Sequence, residues 1–272
     1  MKVTQEILRE FYSKHFSVTP LIKIIGLKNF ERREFGFELI MDDEERFTRN
    51  ISFKTPSNLV EYLSTVAPKS AYVGAIYDPP PQPSVSITKL RWLGRELVFD
   101  LDLTDYDDVR TCGKGKEHVC PRCWRIAQDA ILFVIETLEE DFGFEKIVCL
   151  FSGRRGFHVW VLDDIAKEFD EITREAIVSY IAPEDPVRTP LPLRWKKRAM
   201  KIFGKRFVNP TFQHILPYLP RLDKRVTIDI NRLMRMPGSV HGATGRIVTI
   251  VKDPQEFYVD DAPHVKEILG LD

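Results

Sequence analysis

Residues 98–124, "VFDLDLTDYDDVRTCGKGKEHVCPRCW", bring two kinds of metal ligand into one short segment. Asp100 and Asp102 stand one residue apart in an apolar run. In a strand, residues two apart face the same side, so both carboxylates point together while Phe99 and Leu101 turn to the core. Unpaired carboxylates held that close raise each other's proton affinity, and an oxygen-seeking divalent cation such as Mg²⁺ relieves them. The alternative is an exposed strand face whose aspartates meet only water or an arginine; the apolar flank "ELVF" weighs against it. Asp105, Asp107 and Asp108 follow in a turn-like run and read as solvated groups or local caps. Cys112, His118, Cys120 and Cys123 then give C-x5-H-x-C-x2-C, four ligands that complete a tetrahedral zinc site with no open position, hence a structural one. Free loop thiols are the bland alternative. Cys149, in an apolar strand, reads as plain core.

Two further segments carry chemistry. In "SGRRGFH", Gly153 and Gly156 let backbone approach an anion closely, and Arg154 and Arg155 match phosphate oxygens in a bidentate fork. Ser152 and His158 donate from the same edge, and the set suits a triphosphate; a basic hairpin turn with a satisfied histidine is the simpler reading. In "RLDKRVTIDINRLMRMPGSVHGATGR", Asp223 and Asp229 share strand parity, so alternation does not choose between them. Asp229 falls where a helix is expected to start, and the helix dipole favours an aspartate there. Asp223 has no such explanation and is the better third carboxylate. Arg235 and His241 follow, suited to phosphate, though lone residues of these types are more often surface or core.

The elements that must position these groups follow from periodicity. Amphipathic helical spacing covers 3–16, and alternation marks strands at 33–40, 70–78 and 96–103. Helices are expected over 57–68 and 121–144, the second with proline near its start and Gly143 at its end. "KIVCLF" and "FHVWVL" flank "SGRRG" as a hairpin. A helix over 164–181, a strand over 224–228, a short helix near 229–235 and a strand over 245–251 close the chain. Residues 183–220 hold seven of the eighteen prolines and the basic run "RWKKRAMKIFGKR", and read as an irregular or partly helical insertion. Irregular alternation of helices and strands implies an α/β (α+β) domain with a mixed sheet and helices packed on it.

The 272 residues suffice for one large domain, with 40 basic and 40 acidic residues and no net charge. No global field therefore advertises a polyanionic partner, and affinity for nucleic acid must come from local basic patches. The N-terminus lacks the apolar core of a signal peptide, and no apolar run approaches the roughly 20 residues of a membrane span. An intracellular protein with no membrane partner is expected. Three of the four cysteines cluster with a histidine, which in a reducing compartment reads as a metal site rather than a disulfide.

Taken in order, "VFDLD", "CPRCW", "SGRRGFH" and "RLD…SVHGATGR" closely resemble the catalytic small subunit of archaeal and eukaryotic DNA primase. "DYDDVRTC", "CPRCW" and "EDFGF" look most like the eukaryotic form, and "REFGF" fits both. The resemblance runs from about residue 30 to 250. It implies the primase catalytic fold with an RNA-recognition-like core over a single domain, 1–272, carrying a zinc knuckle at 112–123 and the short insertion at 183–220. Asp100, Asp102 and Asp223 match the family's three aspartates for Mg²⁺ or Mn²⁺. Ser152, Arg154, Arg155 and His158 match its nucleotide-phosphate contacts, and Arg235 and His241 further basic contacts. Arg33, in "REFGF", is expected to face the active cleft. His118 as fourth zinc ligand is an inference from spacing, because that ligand varies within the family. The long helical subdomain that many members carry before the third aspartate is replaced here by 183–220.

The function so implied is synthesis of short RNA primers on single-stranded DNA by two-metal nucleotidyl transfer from NTPs or dNTPs. The arginines and histidines would neutralise charge developing on the phosphates. The implied partner is a large subunit carrying an iron–sulfur domain, in a heterodimer. The compartment would be cytoplasmic for an archaeal chain, which the short length favours, and nuclear for a eukaryotic one. Two alternatives stand beside this: a stand-alone primase-polymerase in repair or on a mobile element, and a non-catalytic nucleotide- or single-strand-binding subunit. Three carboxylates at metal positions argue against the latter, since a binder of polyanions gains nothing from them.

Overall fold

A computed structural model describes residues 3–41 and 44–271. Thr4 accepts the Ile7 N–H and opens α1 (Gln5–Lys14), and α2 (Thr19–Ile25) follows. The alternation in "REFGFELI" forms β1 (Arg33–Met41), paired with β2 (Glu44–Ile51). Next come α3 (Pro56–Val66), β3 (Ser70–Asp78), β4 (Arg91–Gly94), β5 (Leu97–Asp102) and the 22-residue α4 (Pro121–Phe142), which ends at Gly143 in a left-handed conformation. The hairpin β6 (Ile147–Phe151) and β7 (Gly156–Val161) leads to α5 (Asp164–Lys167), α6 (Glu171–Ile181), α7 (Leu193–Phe203) and α8 (Phe212–Ile215). The chain closes through α9 (Lys224–Ile228), β8 (Met234–Arg235), β9 (Thr249–Val251) and α10 (Val265–Leu269).

The strands form two sheets, β2-β1-β3-β4 with β8 against β3, and β5-β7-β6-β9. Every pairing between these strands is antiparallel, which puts the chain at the α+β end of the expected class. Each sheet has its own core. Phe35, Phe37, Ala71 and Val73 of the first sheet pack with Leu8, Leu59 and Leu63 of α1 and α3. Phe99, Leu101, Phe157 and Val159 of the second pack with Trp124, Ile131 and Val134 of α4. Each of the Val, Leu, Ile and Phe side chains among them contributes about 1.5–3 kcal/mol through burial.

The parity of β5 decides where the site lies. Its odd residues, Leu97, Phe99 and Leu101, enter the α4 core. Its even face starts with Val98, which joins Leu150 and Trp160 in the core of the first sheet, and continues as Asp100 and Asp102. The second sheet is thus covered by helices on one side. On the other it is apolar at one end and carries carboxylates at the other. This is why two aspartates sit inside an otherwise continuous apolar strand.

The partly helical reading of 183–220 holds in a definite form, and three other elements differ from the sequence expectations. Residues 183–220 contain a regular amphipathic helix, α7, whose Trp195, Ala199, Ile202 and Phe203 are buried against α4; the Trp195 and Phe133 rings lie 4.9 Å apart. Within its basic run, Arg198 is buried and held by Asp141 (2.9 Å) and Glu140 (2.6 Å). The helix expected over 164–181 breaks at Phe169–Asp170, where Asp170 accepts the Thr173 N–H (2.8 Å) and starts α6 afresh. "KRVTI" is the helix α9 rather than a strand, because Asp223 caps it through the Arg225 N–H (3.0 Å). The helix expected near 229–235 is a turn followed by β8, so Asp229 ends a helix instead of beginning one.

Candidate active site and metal centre

The register of β5 and β7 pairs Asp100 with His158 and Asp102 with Gly156. Neighbours in register share a face, so His158 Nε2 comes within 3.4 Å of Asp100 Oδ1. Asp102 is held firmly. Its Oδ1 accepts from the Thr104 N–H (2.9 Å), the Thr104 hydroxyl (2.8 Å) and Arg155 Nε (2.8 Å), and its Oδ2 lies 2.8 Å from Arg155 Nη2. Asp223 arrives from far along the chain, its backbone N–H donating to the Asp100 carbonyl at 3.1 Å. Burial, then Asp102, Asp223 and Asp105, push the Asp100 carboxyl up to about 7. Asp105, read from sequence as solvated, also feels the cluster: desolvation, Asp102 and Asp223 raise its pKa. An oxygen-only donor set in which the carboxylates mutually oppose ionisation fits a hard divalent cation.

Asp100 and Asp102 line a cavity of about 280 Å³ together with Ser152, Arg154, Arg155, His158, Arg235 and His241. The two glycines of "SGRRG" are demanded by this packing. Gly153 has φ +93°, and a Cβ there would lie 2.5 Å from His241 Cβ; one on Gly156 would lie 2.1 Å from the Leu101 carbonyl oxygen. Arg154 pairs with Glu117 of the cysteine loop. Arg235 lies over the Tyr72 ring (5.4 Å) and donates to its hydroxyl (3.3 Å). His158 and His241 are both pushed down to about 3, first by burial and then by Arg235, so the ligand-free site holds them neutral. They are neutral donors and acceptors here, and the arginines carry the positive charge. Asp223 does not line the cavity but stands beside it.

The first sheet supplies the cavity's other wall through Glu38, Lys69 and Ser70, which the sequence reading missed. Their signal was weak: the polar face of "REFGFELI" contains Glu38, and Lys69 and Ser70 sit where α3's exit loop meets β3. Arg33 is a correction. It is 2% exposed and forked onto Glu96 at 2.7 and 2.9 Å, with a further bond to the Gly74 carbonyl (2.9 Å). Burial forces the guanidinium to take a buried carboxylate as its partner, so it does not face the cleft.

Cys112, His118, Cys120 and Cys123 converge at the N-terminus of α4, their ligand atoms all within 4.8 Å of one another. Cys123 Sγ accepts the Cys120 N–H at 3.2 Å. The Cys120 thiol is pushed down to about 6, foremost by a hydrogen bond from the Cys123 backbone. His118 Nε2 is buried without a partner among the described residues, and its ring packs so closely on Gly113 that a Cβ there would meet it at 2.6 Å. A buried imidazole nitrogen without a partner, on a ring grouped with three sulfurs, fits a tetrahedral metal ion.

The model of the DNA primase small subunit family matches residues 99–253, a stretch holding every one of these residues except Arg33 and the first sheet's contributions. The DNA primase small subunit of Schizosaccharomyces pombe is 39% identical over 155 residues, 56% of this chain and 33% of that one. That of Drosophila melanogaster is 35% identical over 186 residues, 66% and 42%. The chain thus spans less than half the length of these two curated relatives. The archaeal DNA primase small subunit of Thermococcus sibiricus is 29% identical over 331 residues, covering 98% of this chain and 94% of that one. Among solved structures, the polymerase domain from Mycobacterium tuberculosis Ligase D in complex with DNA has a similar fold, with TM-score 0.54 and 12% identity over 98% of this chain and 88% of that one. With more than half its length matched, from the paired aspartates through the cysteine cluster to His241, the chain belongs to the DNA primase small subunit family.

Proposed function

We propose that this chain synthesises short RNA primers on single-stranded DNA, joining nucleotides from NTPs or dNTPs by metal-dependent nucleotidyl transfer. The observation that carries the reading is the meeting of carboxylates from β5 and the start of α9 beside a cavity walled by Arg154, Arg155 and Arg235. Asp100, Asp102 and Asp223 would hold Mg²⁺ or Mn²⁺. When bound, such ions activate the attacking 3′-hydroxyl and stabilise the departing pyrophosphate. The arginines bind and orient the triphosphate; Arg155, already forked onto Asp102, ties the phosphate loop to the carboxylate strand. Ser152, His158 and His241 give neutral hydrogen bonds to phosphate oxygens, and the neutral imidazoles leave the charge balance to the arginines. No side chain need act as a covalent nucleophile.

Cys112, His118, Cys120 and Cys123 would hold Zn²⁺, a structural ion that braces the loop leaving β5. In this reading 1–272 is one catalytic domain and 183–220 is part of its α4 core. An iron–sulfur large subunit is the implied partner in a heterodimer. Among the described residues no helix is long and apolar enough to cross a membrane.

The test is an assay on unprimed single-stranded DNA with labelled NTPs or dNTPs and Mg²⁺ or Mn²⁺, with and without a large subunit. Short products that vanish on chelation are expected. Product only from pre-primed templates, regardless of a large subunit, would favour the stand-alone polymerase; none under any condition would leave a binding subunit.

A further inference from the structure

A second cavity, of about 380 Å³, shares no lining residue with the first. Cys112 and Cys123 form part of its wall. Its polar wall is Arg110, Arg122, Arg206 and Thr111, and among the described residues no carboxylate lines it. Arg110 is buried; its Nη1 is used by Asp107 (2.6 Å) and its Nη2 by the His118 carbonyl, but its Nε has no partner among the described residues. Arg206 binds Asp129 and the Arg125 carbonyl (2.8 Å) through Nη2, lies 5.3 Å over the Tyr218 ring, and also has a buried Nε without a partner. Arg122 is exposed and forms no ion pair or hydrogen bond among the described residues. It occupies the first turn of α4, which carries no acidic residue, so the positive end of a long helix dipole lies at the same wall.

Phe207 and Tyr218, rings 5.8 Å apart and both partly exposed, complete the lining. Arg110 and Arg206 are already paired with Asp107 and Asp129, while Arg122 has no carboxylate partner among the described residues; an unpaired guanidinium beside partly exposed aromatic rings suits a single-stranded nucleic acid: phosphate on arginine, base on ring. The position also fits. Tyr218 is five residues before Asp223, which bounds their Cα separation at about 18 Å. A stacked strand covers that in about five nucleotides at ~3.4 Å each.

We infer that this cavity is a subsite for a backbone phosphate and an adjoining base of a nucleic-acid strand leading away from the carboxylates. Arg122 and Arg206 take the phosphate; Phe207 and Tyr218 take the base. The inference rests on the nucleotidyl-transfer reading above. It assigns a strand path to a region outside the reacting centre, built from both ends of the cysteine loop and the segment after α7.

The test uses the full chain and a fluorescent 20-nucleotide oligo(dT), read by anisotropy without nucleotide or divalent cation. Arg122→Glu alters an exposed side chain with no ion pair or hydrogen bond among the described residues and puts an acid at a helix N-terminus, so the melting temperature should not fall and zinc content should be kept. Binding is expected to weaken about tenfold and the slope of log K against log salt to fall by about 0.7, one phosphate contact on a single strand. The KM for NTP stays as it was. Phe207→Ala should weaken binding without changing the slope. Photocrosslinking from iodouracil placed in the template or in the primer distinguishes the two sources of phosphate; attachment to Phe207 or Tyr218 from either supports the subsite. Unchanged affinity and slope in Arg122→Glu, with no crosslink, overturns it. Because binding is read without synthesis, that result leaves the catalytic reading intact, whereas a chain that binds through Arg122 but makes no product fails the catalytic reading alone.

Discussion

The cysteine cluster and the carboxylate cluster are built in opposite ways. The first draws four ligands from twelve consecutive positions, 112–123, and its atoms converge within 4.8 Å through one loop and one helix start. The second joins Asp100 and Asp102 to Asp223, more than 120 positions later, through strand register and one backbone hydrogen bond. A local cluster depends on its metal to fold, because few other contacts order so short a loop. A remote cluster is assembled by the cores on either side, and its charges oppose one another until a cation arrives. The difference is that metal removal should unfold one site and merely discharge the other.

The sharpest way to break this contrast is Asp100→Asn, which keeps shape and removes a charge. Synthesis should fall about a thousandfold or more, since the cation site loses a ligand. The metal-free melting temperature at pH 8 should not fall. A lower one would make Asp100 a structural residue. Next is Cys120→Ser, which should cost several kcal/mol in denaturant melts together with loss of tightly held zinc. In the wild type, dialysis against EDTA should stop synthesis while one zinc per chain remains, and added Mg²⁺ should restore it. Simultaneous loss of both metals would erase the distinction.

Arg33→Met separates core from cleft. Stranding Glu96 unpaired in the interior should destabilise by about 3–5 kcal/mol, with the KM for NTP of the surviving folded protein unchanged. A raised KM at normal stability would return Arg33 to the cleft. The remaining prediction concerns pH. Asp100 titrates near 7 when folded, against an ordinary value of 3.8, so between those values the folded chain binds a proton that the unfolded chain does not. Stability therefore declines as pH rises through that window in EDTA. The decline should shrink in Asp100→Asn and be offset by Mg²⁺ in the wild type, as followed by melting temperature against pH.

What was legible in the sequence was local. Period-two alternation placed Asp100 and Asp102 on one face, ligand spacing marked the cysteine cluster, and the glycines of "SGRRG" announced a hairpin that packs too tightly for any side chain at Gly156. What was hidden depended on distant partners. Glu96, 63 positions on, takes Arg33 out of the cleft. Lys69 and Glu38 enter the cavity only because the two sheets face each other there. Prolines at 183–220 left the extent of α7 open, because its apolar stripe makes sense only against α4. β-branched Val226 and Thr227 suggested a strand, but the Asp223 cap governs that turn. The charge state of the histidines was hidden too, because burial and Arg235, both set by the fold, hold them neutral.

The hydrogen bond from the Asp223 N–H to the Asp100 carbonyl involves main chain alone. The main chain therefore anchors position 223 beside the β5 carboxylates, while the Asp223 side chain separately caps α9. A designer wishing to retune metal preference, for instance toward softer ions with histidine there, has a socket whose address is written in the backbone, provided the new side chain also caps α9.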